Sequence, residues 1–300
     1  MSEKQFNPYS APDSAPDNAP SSASDSWSAY WRQGSNEAAC LPGAPAALGN
    51  LLDGIWGDFG ASLDGGATVV DLACGGGVVG ASMLAANAKL DVTGIDYAEL
   101  PGEARPPFPL LREPISQTSC QDGYFDAAAS QFGIEYADPA EAGKELGRIL
   151  KAGAKLQFIA HYAGGAIAKA NETRASLLKA VNRPDIWQFA NGRDGASLQS
   201  AFDAIHKKHG ESPLFLELVS AVRAALGHEG NARTKLLKDL QTSIEHEQEI
   251  IANLMDAAIA PKQMKGWMKK LGKNFNFAKP DVIRMGDDVI CWHIAGTYKP

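Results

Sequence analysis

Asp71 lies in a compact β-branched and apolar run, Thr68-Val69-Val70-Asp71-Leu72, and three glycines, Gly75-Gly76-Gly77, follow after Ala73 and Cys74. A loop without side chains lets a ligand approach the backbone, and the helix expected behind it presents free N–H groups at its start. About 20 residues on, Asp96 ends a second run, Leu90-Asp91-Val92-Thr93-Gly94-Ile95, where a carboxylate can accept hydrogen bonds from both hydroxyls of a ribose. Glycine loop plus acid is a constellation for a nucleotide-like ligand. His161 stands at the end of a further run, Lys155–Tyr162. There it can serve as a general base or substrate contact, or be a hydrogen-bonded structural residue.

Two ligand classes compete for the loop. Gly75-x-Gly77-x-x-Gly80 satisfies the dinucleotide spacing, which keeps an NAD(P)-dependent oxidoreductase in view. Asp71 argues the other way, since a carboxylate beside the loop opposes a pyrophosphate and suits a cation. S-adenosylmethionine carries an ammonium and a sulfonium and no phosphate, so an acid beside the loop fits it directly or through water. A non-enzymatic protein that binds the cofactor and acts as a partner is a third reading.

The elements that must hold these residues follow from periodicity. Trp27, Tyr30 and Trp31 share one face of a short helix with Asp25 or Ser26 as its cap. That helix can close over the cofactor or pack on the sheet. After the turn Leu41-Pro42-Gly43, Pro45 suits a first helical position, and Leu48, Leu51, Leu52, Ile55 and Phe59 repeat at helical spacing. A βαβ unit spans Thr68 to Asp96. A third strand is expected near Pro109 to Glu113 and a fourth at Phe125 to Ser130. Asp138-Pro139-Ala140-Glu141 is a capping sequence opening a helix to Ile149–Leu150, and a fifth strand covers Lys155 to Tyr162. Residues 163–274 read as helical, with Leu236, Leu237, Leu240, Ile244, Ile251, Leu254, Met255 and Ile259 along one side of a long helix ended by Pro261. Val282–Met285 and Val289–Tyr298 flank Gly286-Asp287 as an antiparallel hairpin.

Composition bounds the reading. The 300 residues carry Lys+Arg 28 against Asp+Glu 35, a net −7, which argues against a phosphate-backbone binder. Hydrophobic residues at 45% and charged ones at 21% support one substantial core with an appended subdomain. Cysteines 40, 74, 120 and 291 are scattered, without zinc-ligand or disulfide spacing, and His206, His209, His228 and His246 form no metal constellation. No stretch approaches the length of a membrane span. A cytoplasmic protein without stable membrane insertion is expected.

Asp71-Leu72-Ala73-Cys74-Gly75-Gly76-Gly77 resembles the first motif of class I S-adenosylmethionine-dependent methyltransferases, with Ala73 in place of the first glycine. Val92-Thr93-Gly94-Ile95-Asp96-Tyr97 is similar to the family's second motif, and Phe125 through Tyr136 to its fourth-strand motif, above all in members resembling ubiquinone and menaquinone biosynthesis methyltransferases. The resemblance covers about residues 65–162 and, more loosely, the final hairpin. It implies a three-layer Rossmann-like α/β fold, a seven-stranded mixed sheet closed by the antiparallel hairpin, and a helical insertion. It also implies S-adenosylmethionine as cofactor, bound by Asp71, Ala73, Cys74, Gly75, Gly77, Asp96, Tyr97, Ile115, Ser116, Ser130 and Gln131, with no metal. Ser130-Gln131-Phe132-Gly133 stands where nucleobase N-methylating members carry an Asn/Asp-Pro-Pro-aromatic motif, which disfavours that substrate.

The expected layout is a tail at 1–25, a cofactor-binding core at 26–162, an insertion or substrate cap at 163–274 and a hairpin at 275–300 that completes the sheet. The expected reaction is methyl transfer to a small organic acceptor, on oxygen or carbon, by in-line displacement, with His161 as the candidate catalytic side chain. Nucleic acid is not expected as a partner, and the sequence leaves the oligomeric state open. Met264, Trp267, Met268 and Leu271 alternate with Lys262, Lys265, Lys269, Lys270 and Lys273. That is a basic amphipathic helix, able to approach a membrane or an anionic substrate or to leave its lysines solvated.

Overall fold

Strands and helices share the first half of the chain because its β-branched runs are short and those of β1 and β4 are followed by helical repeats. The computed structural model describes residues 21–32, 45–102 and 105–300; residues 1–20 of the expected tail, Cys40 and the turn at 41–43 lie outside the described residues. Helix α1 (Ser21–Arg32) carries the aromatic set and starts within the stretch read as tail. In α2 (Ala46–Ala61), Leu48, Leu52, Trp56 and Phe59 are buried, and Pro45 precedes the first turn as its cap residue. Leu51, expected inside, is exposed.

The βαβ unit is β1 (Thr68–Leu72), α3 (Val78–Ala86) and β2 (Asp91–Ile95). Then come a two-residue β3 (Leu110–Leu111), β4 (Phe125–Gln131), α4 (Pro139–Ile149) and β5 (Leu150–His161). Asp138 caps α4 as its sequence demands, its Oδ1 accepting from the Ala140 and Glu141 N–H groups at 2.9 and 3.1 Å. Near the C-terminus lie α10 (Pro261–Leu271), β6 (Phe275–Phe277), β7 (Asp281–Met285) and β8 (Asp288–Tyr298); the five helices between β5 and α10 are taken up below.

The sheet runs β3-β2-β1-β4-β5-β8-β6, with β7 paired to β8. Strands β1 to β5 pair in parallel and β8 lies antiparallel to β5. There are eight strands rather than seven. The addition is β6, which uses the N–H and C=O groups that the far end of β8 leaves open beyond the β7 hairpin. Both faces are covered, as a parallel sheet requires. Val69, Ala127, Ala129 and Ile159 face one core with Leu52, Trp56 and Met83 of α2 and α3. Val70, Leu72, Ala128, Phe158 and Ala160 face another with Leu146 of α4 and Met264 and Leu271 of α10. At 20–33 cal/mol per Å² of apolar surface, each large buried side chain contributes roughly 1.5–3 kcal/mol, so these two layers hold the strand ends in place.

The described residues separate into two compact units, one comprising the chain up to Ala168 together with Leu254–Pro300, the other Lys169–Asn253. The separate helical part is therefore narrower than 163–274. Its neighbour α10 belongs to the first unit because Met264 and Leu271 bury against α4, where the Leu271 carbonyl comes so near Gly143 that a Cβ there would fall 1.7 Å from it.

The second unit is built from α6 (Pro184–Gly192), α7 (Gly195–His209) and α8 (Pro213–Leu226), while α5 (Ala166–Val181) and α9 (Gly230–Ala257) cross its boundary. Phe202 and Phe215 meet edge to face at 6.4 Å in its core. Leu236 is exposed. Helix α9 ends at Ala257, and Ile259, expected on it, instead bridges Tyr162 beside β5. The backbone there is taken by a strand edge, which a helix cannot satisfy. Among the described residues no helix is long and apolar enough to cross a membrane, and no three His, Cys, Asp or Glu side chains gather to hold a metal.

Candidate active site

Strand order reverses between β1 and β4, and in open α/β sheets ligands bind outside the strands' carboxyl ends at that point. The loop after β1 sits there. Its turn is closed by the Gly77 N–H donating to the Cys74 carbonyl at 2.8 Å and by Cys74 N–H donating to Ile95 of β2 at 3.0 Å. Ala73, Gly75 and Gly77 all take left-handed backbone, at φ 52, 48 and 81°. For Ala73 that conformation is strained. Its methyl occupies the space beside Gly133, where a Cβ would lie 2.4 Å from it, so the alanine in the motif is matched by a glycine in the loop after β4. The Cys74 side chain turns inward, with its sulfur where a Cβ on Gly94 would be 2.6 Å away. Burial and the two neighbouring acids push its thiol well above the usual range.

The two acids differ. Asp71 is fully buried; its Oδ2 accepts from the Gly80 N–H at 3.1 Å and its Oδ1 has no hydrogen-bond partner among the described residues. Burial pushes its carboxyl up to about 8, opposed by the Gly80 N–H and assisted by the charge of Asp96. Asp96, half-buried, has both oxygens engaged: Oδ2 accepts from Gly75 N–H at 2.7 Å and Oδ1 from Ala98 N–H at 2.8 Å. Burial raises this carboxyl too, against the pull of those N–H groups. Two desolvated acids around one loop favour a cation and oppose a pyrophosphate. An orphaned carboxylate oxygen at the loop fits the ammonium and sulfonium of S-adenosylmethionine.

The remaining residues anticipated at the cofactor are distributed around this loop. Tyr97 follows Asp96 and is half-buried. Ile115 and Ser116 lie in the turn closed by the Gln117 N–H to the Pro114 carbonyl at 3.1 Å, tied to the site where Glu113 N–H donates to the Asp96 carbonyl at 3.2 Å; Ile115 packs on the α4-side core. The Ser130 hydroxyl and the Gln131 side-chain oxygen are engaged inside the protein. The Ser130 hydroxyl donates to the Leu72 carbonyl at 3.0 Å and accepts from Ile134 N–H at 3.0 Å. Gln131 Oε1 accepts from Trp56 Nε1–H at 2.7 Å. Both lock the end of β4 against the end of β1 and α2.

His161 ends β5 and is buried with Glu135, which sits in a single helical turn, Ile134–Tyr136, after β4. Glu135 Oε1 accepts from both the backbone N–H and the Nδ1–H of His161, each at 2.8 Å. A carboxylate only accepts, so in this contact His161 Nδ1 carries a proton. Phe132, itself left-handed at φ 54°, places its ring 4.4 Å from the imidazole, and Tyr136 meets it edge-on at 5.9 Å. Sequence reasoning assigned no role to Glu135; an acid between Ile134 and Tyr136 in an otherwise apolar turn was the available signal.

Helix α1 touches both the glycine loop and Tyr136 beside His161. Trp31 packs where a Cβ on Gly75 would be 2.6 Å from its ring, Ser28 Oγ accepts from Glu99 N–H at 2.9 Å, and Trp27 meets Tyr136 edge-on at 5.9 Å. The aromatic helix thus both packs on the sheet edge and covers the glycine loop.

A parallel sheet with a glycine loop and paired acids at its switch point defines a protein that binds a nucleoside-type cofactor. Residues 70–158 match the family model of a methyltransferase domain. Over that stretch the chain carries a methyltransferase domain, consistent with a class I S-adenosylmethionine-dependent enzyme. No curated protein matches it. Among solved structures it is similar to an S-adenosylmethionine-dependent methyltransferase from Methanosarcina mazei, at 13% identity over 81% of this chain and 97% of the other, TM-score 0.42. It is similar also to one from Aquifex aeolicus, at 11% identity over 82% and 89%, TM-score 0.42. A third is geranyl diphosphate C-methyltransferase from Streptomyces coelicolor A3(2), at 10% identity over 85% and 79%, TM-score 0.42.

Proposed function

We propose that this methyltransferase acts on a small organic acceptor whose nucleophile is released by loss of a proton, a hydroxyl or a carbon activated by an ionising hydroxyl. His161 is the proton acceptor and Glu135 the residue that positions it. The buried Glu135–His161 pair at the end of β5 carries this reading. S-adenosylmethionine supplies the electrophilic methyl group. Asp71, Asp96 and the Ala73–Gly77 backbone hold that cofactor at the loop, and Tyr97, Ile115 and Ser116 flank its adenosine side. The His161 Nε2 takes the acceptor's proton, and Glu135 stabilises the imidazolium that results, while Phe132 and Tyr136 keep the ring from rotating and exclude water. We assign acceptor choice to the helical segment 169–253, which the sequence inserts between β5 and α10.

The test is methyl transfer from labelled cofactor to a panel of phenols, enols, carboxylates and amines, by the wild type and His161→Asn. Hydroxyl-bearing acceptors should be turned over, and the variant should lose roughly 10²–10⁴-fold in kcat with cofactor affinity unchanged. Equal turnover by both proteins on the preferred acceptor would remove His161 from the chemistry.

A further inference from the structure

The chain is acidic overall, yet residues 257–280 contain six lysines and no Asp or Glu. Most of that stretch is α10, which has two unlike sides. Met264 and Leu271 are buried on the core beside α4, and Trp267 and Met268, half-buried, pack at its margins. At 100° per residue the helix lysines 262, 265, 269 and 270 fall within an arc of about 140° opposite those apolar residues. All four are exposed, as are Lys273 just past the helix and Lys299, whose backbone N–H donates to the Asn274 carbonyl at 2.7 Å. None of these six has an ion pair among the described residues. On the adjacent exposed side of α4, Glu141 and Lys144 cancel. The face is therefore a strip of unneutralised ammonium groups, about 16 Å long over the helix, on a protein of net −7.

We propose that this face docks the enzyme on an anionic lipid surface, the lysines meeting headgroup phosphates. The apolar side of α10 is spent on the core, so the helix lies on the headgroups without entering the hydrocarbon, in contrast to a free amphipathic helix. A membrane satisfies this patch because only the charges within a Debye length of the surface count, and the acids elsewhere on the protein are screened. Nucleic acid fits less well: the strip has no arginine fork and its one tryptophan is packed on the core rather than open for base stacking. The helix begins two residues after Ile259, which hydrogen-bonds β5 beside His161. Docking through α10 brings the carboxyl edge of the sheet near the interface.

The experiment is co-sedimentation of the full chain with vesicles of zwitterionic phospholipid, with and without about one-third anionic phospholipid. The variants are Lys265→Glu/Lys269→Glu/Lys270→Glu and, as a charge-matched control in the other unit, Lys207→Glu/Lys208→Glu/Lys235→Glu. The wild type and the control should pellet with anionic vesicles only and be released at about 0.5 M salt, and the α10 triple variant should bind at least about tenfold less. A triple Lys→Gln variant of α10 with unchanged circular dichroism and melting separates lost charge from lost fold. Equal pelleting of wild type and both α10 triple variants, or no pelleting of the wild type, overturns the proposal. So does retention by single-stranded RNA or an acidic polypeptide without retention by vesicles, which would hand the face to that partner.

Discussion

The glycine loop and the Glu135–His161 pair both lie at the carboxyl edge of the sheet, after β1 and at the end of β5, but are built by opposite means. Around the loop, backbone does most of the holding. Gly75, Ala98 and Gly80 N–H groups engage the acids, and the side chains between are small or turned inward. Around His161 the holding is done by side chains, the Glu135 carboxylate and the rings of Phe132 and Tyr136, all from residues 132–136 after β4. A site made of backbone is shared by any chain that can make the turn, whereas a site made of packed side chains belongs to the individual protein. In the proposed function, cofactor binding rests on the first and proton transfer on the second.

That contrast can be broken at three points. The largest effect is expected for Asp96→Ala. It removes the proposed ribose acceptor together with the anchor of the Gly75 N–H, and a lost charged hydrogen bond is worth about 1.5–3 kcal/mol. Cofactor affinity measured by calorimetry should fall roughly 10- to 100-fold, and an unaltered Kd would mean the acid does not serve the cofactor.

On the acceptor side, Glu135→Gln keeps shape and removes the charge behind the imidazole. We expect kcat to fall about tenfold or more while the cofactor Kd stays within a factor of two. Melting lowered with kcat intact would make the pair structural, and the two halves would then no longer divide as binding and chemistry.

The mildest change is Asp71→Asn. Burial raises this carboxyl in the folded state from 3.8 to about 8, so the native protein keeps a proton that the unfolded chain gives up. Wild-type stability therefore declines as pH rises through that window, and denaturant titrations of the variant should lack the decline. Affinity for the cationic cofactor should rise between about pH 6 and about pH 9 in the wild type as Asp71 ionises, and be flat in the variant. Identical pH profiles for the two proteins would show that the acid is silent at the loop.

Much of this was legible residue by residue. The compact apolar runs at β1, β2 and β4, the Asp138-Pro139 cap and the Gly286-Asp287 hairpin are local signals, and each element formed where its own residues favour it. Strand β6 was not legible, because three residues have no period; it exists only because β8 extends past its hairpin partner and offers an open edge. Ile259 was misplaced for a related reason, since its apolar side chain continues the α9 pattern while its backbone is claimed by β5. Within the site, the glycine loop and its acids are contiguous in sequence and could be read together. Glu135 and His161 are 26 residues apart, and nothing in either segment points to the other.

By itself, then, the sequence determined the alternation of strands and helices, the loop whose glycines and acids suit a cationic nucleoside cofactor, and a lysine-rich helix, since each depends on residues within a turn or two of one another. Only tertiary structure decided that Asp71 loses its solvent and keeps an unpartnered oxygen, that Glu135 accepts the Nδ1–H of His161, and that α10 presents its lysines outward because Met264 and Leu271 are held by the core. Those outcomes depend on burial and on distances between segments far apart in the chain, which only packing sets.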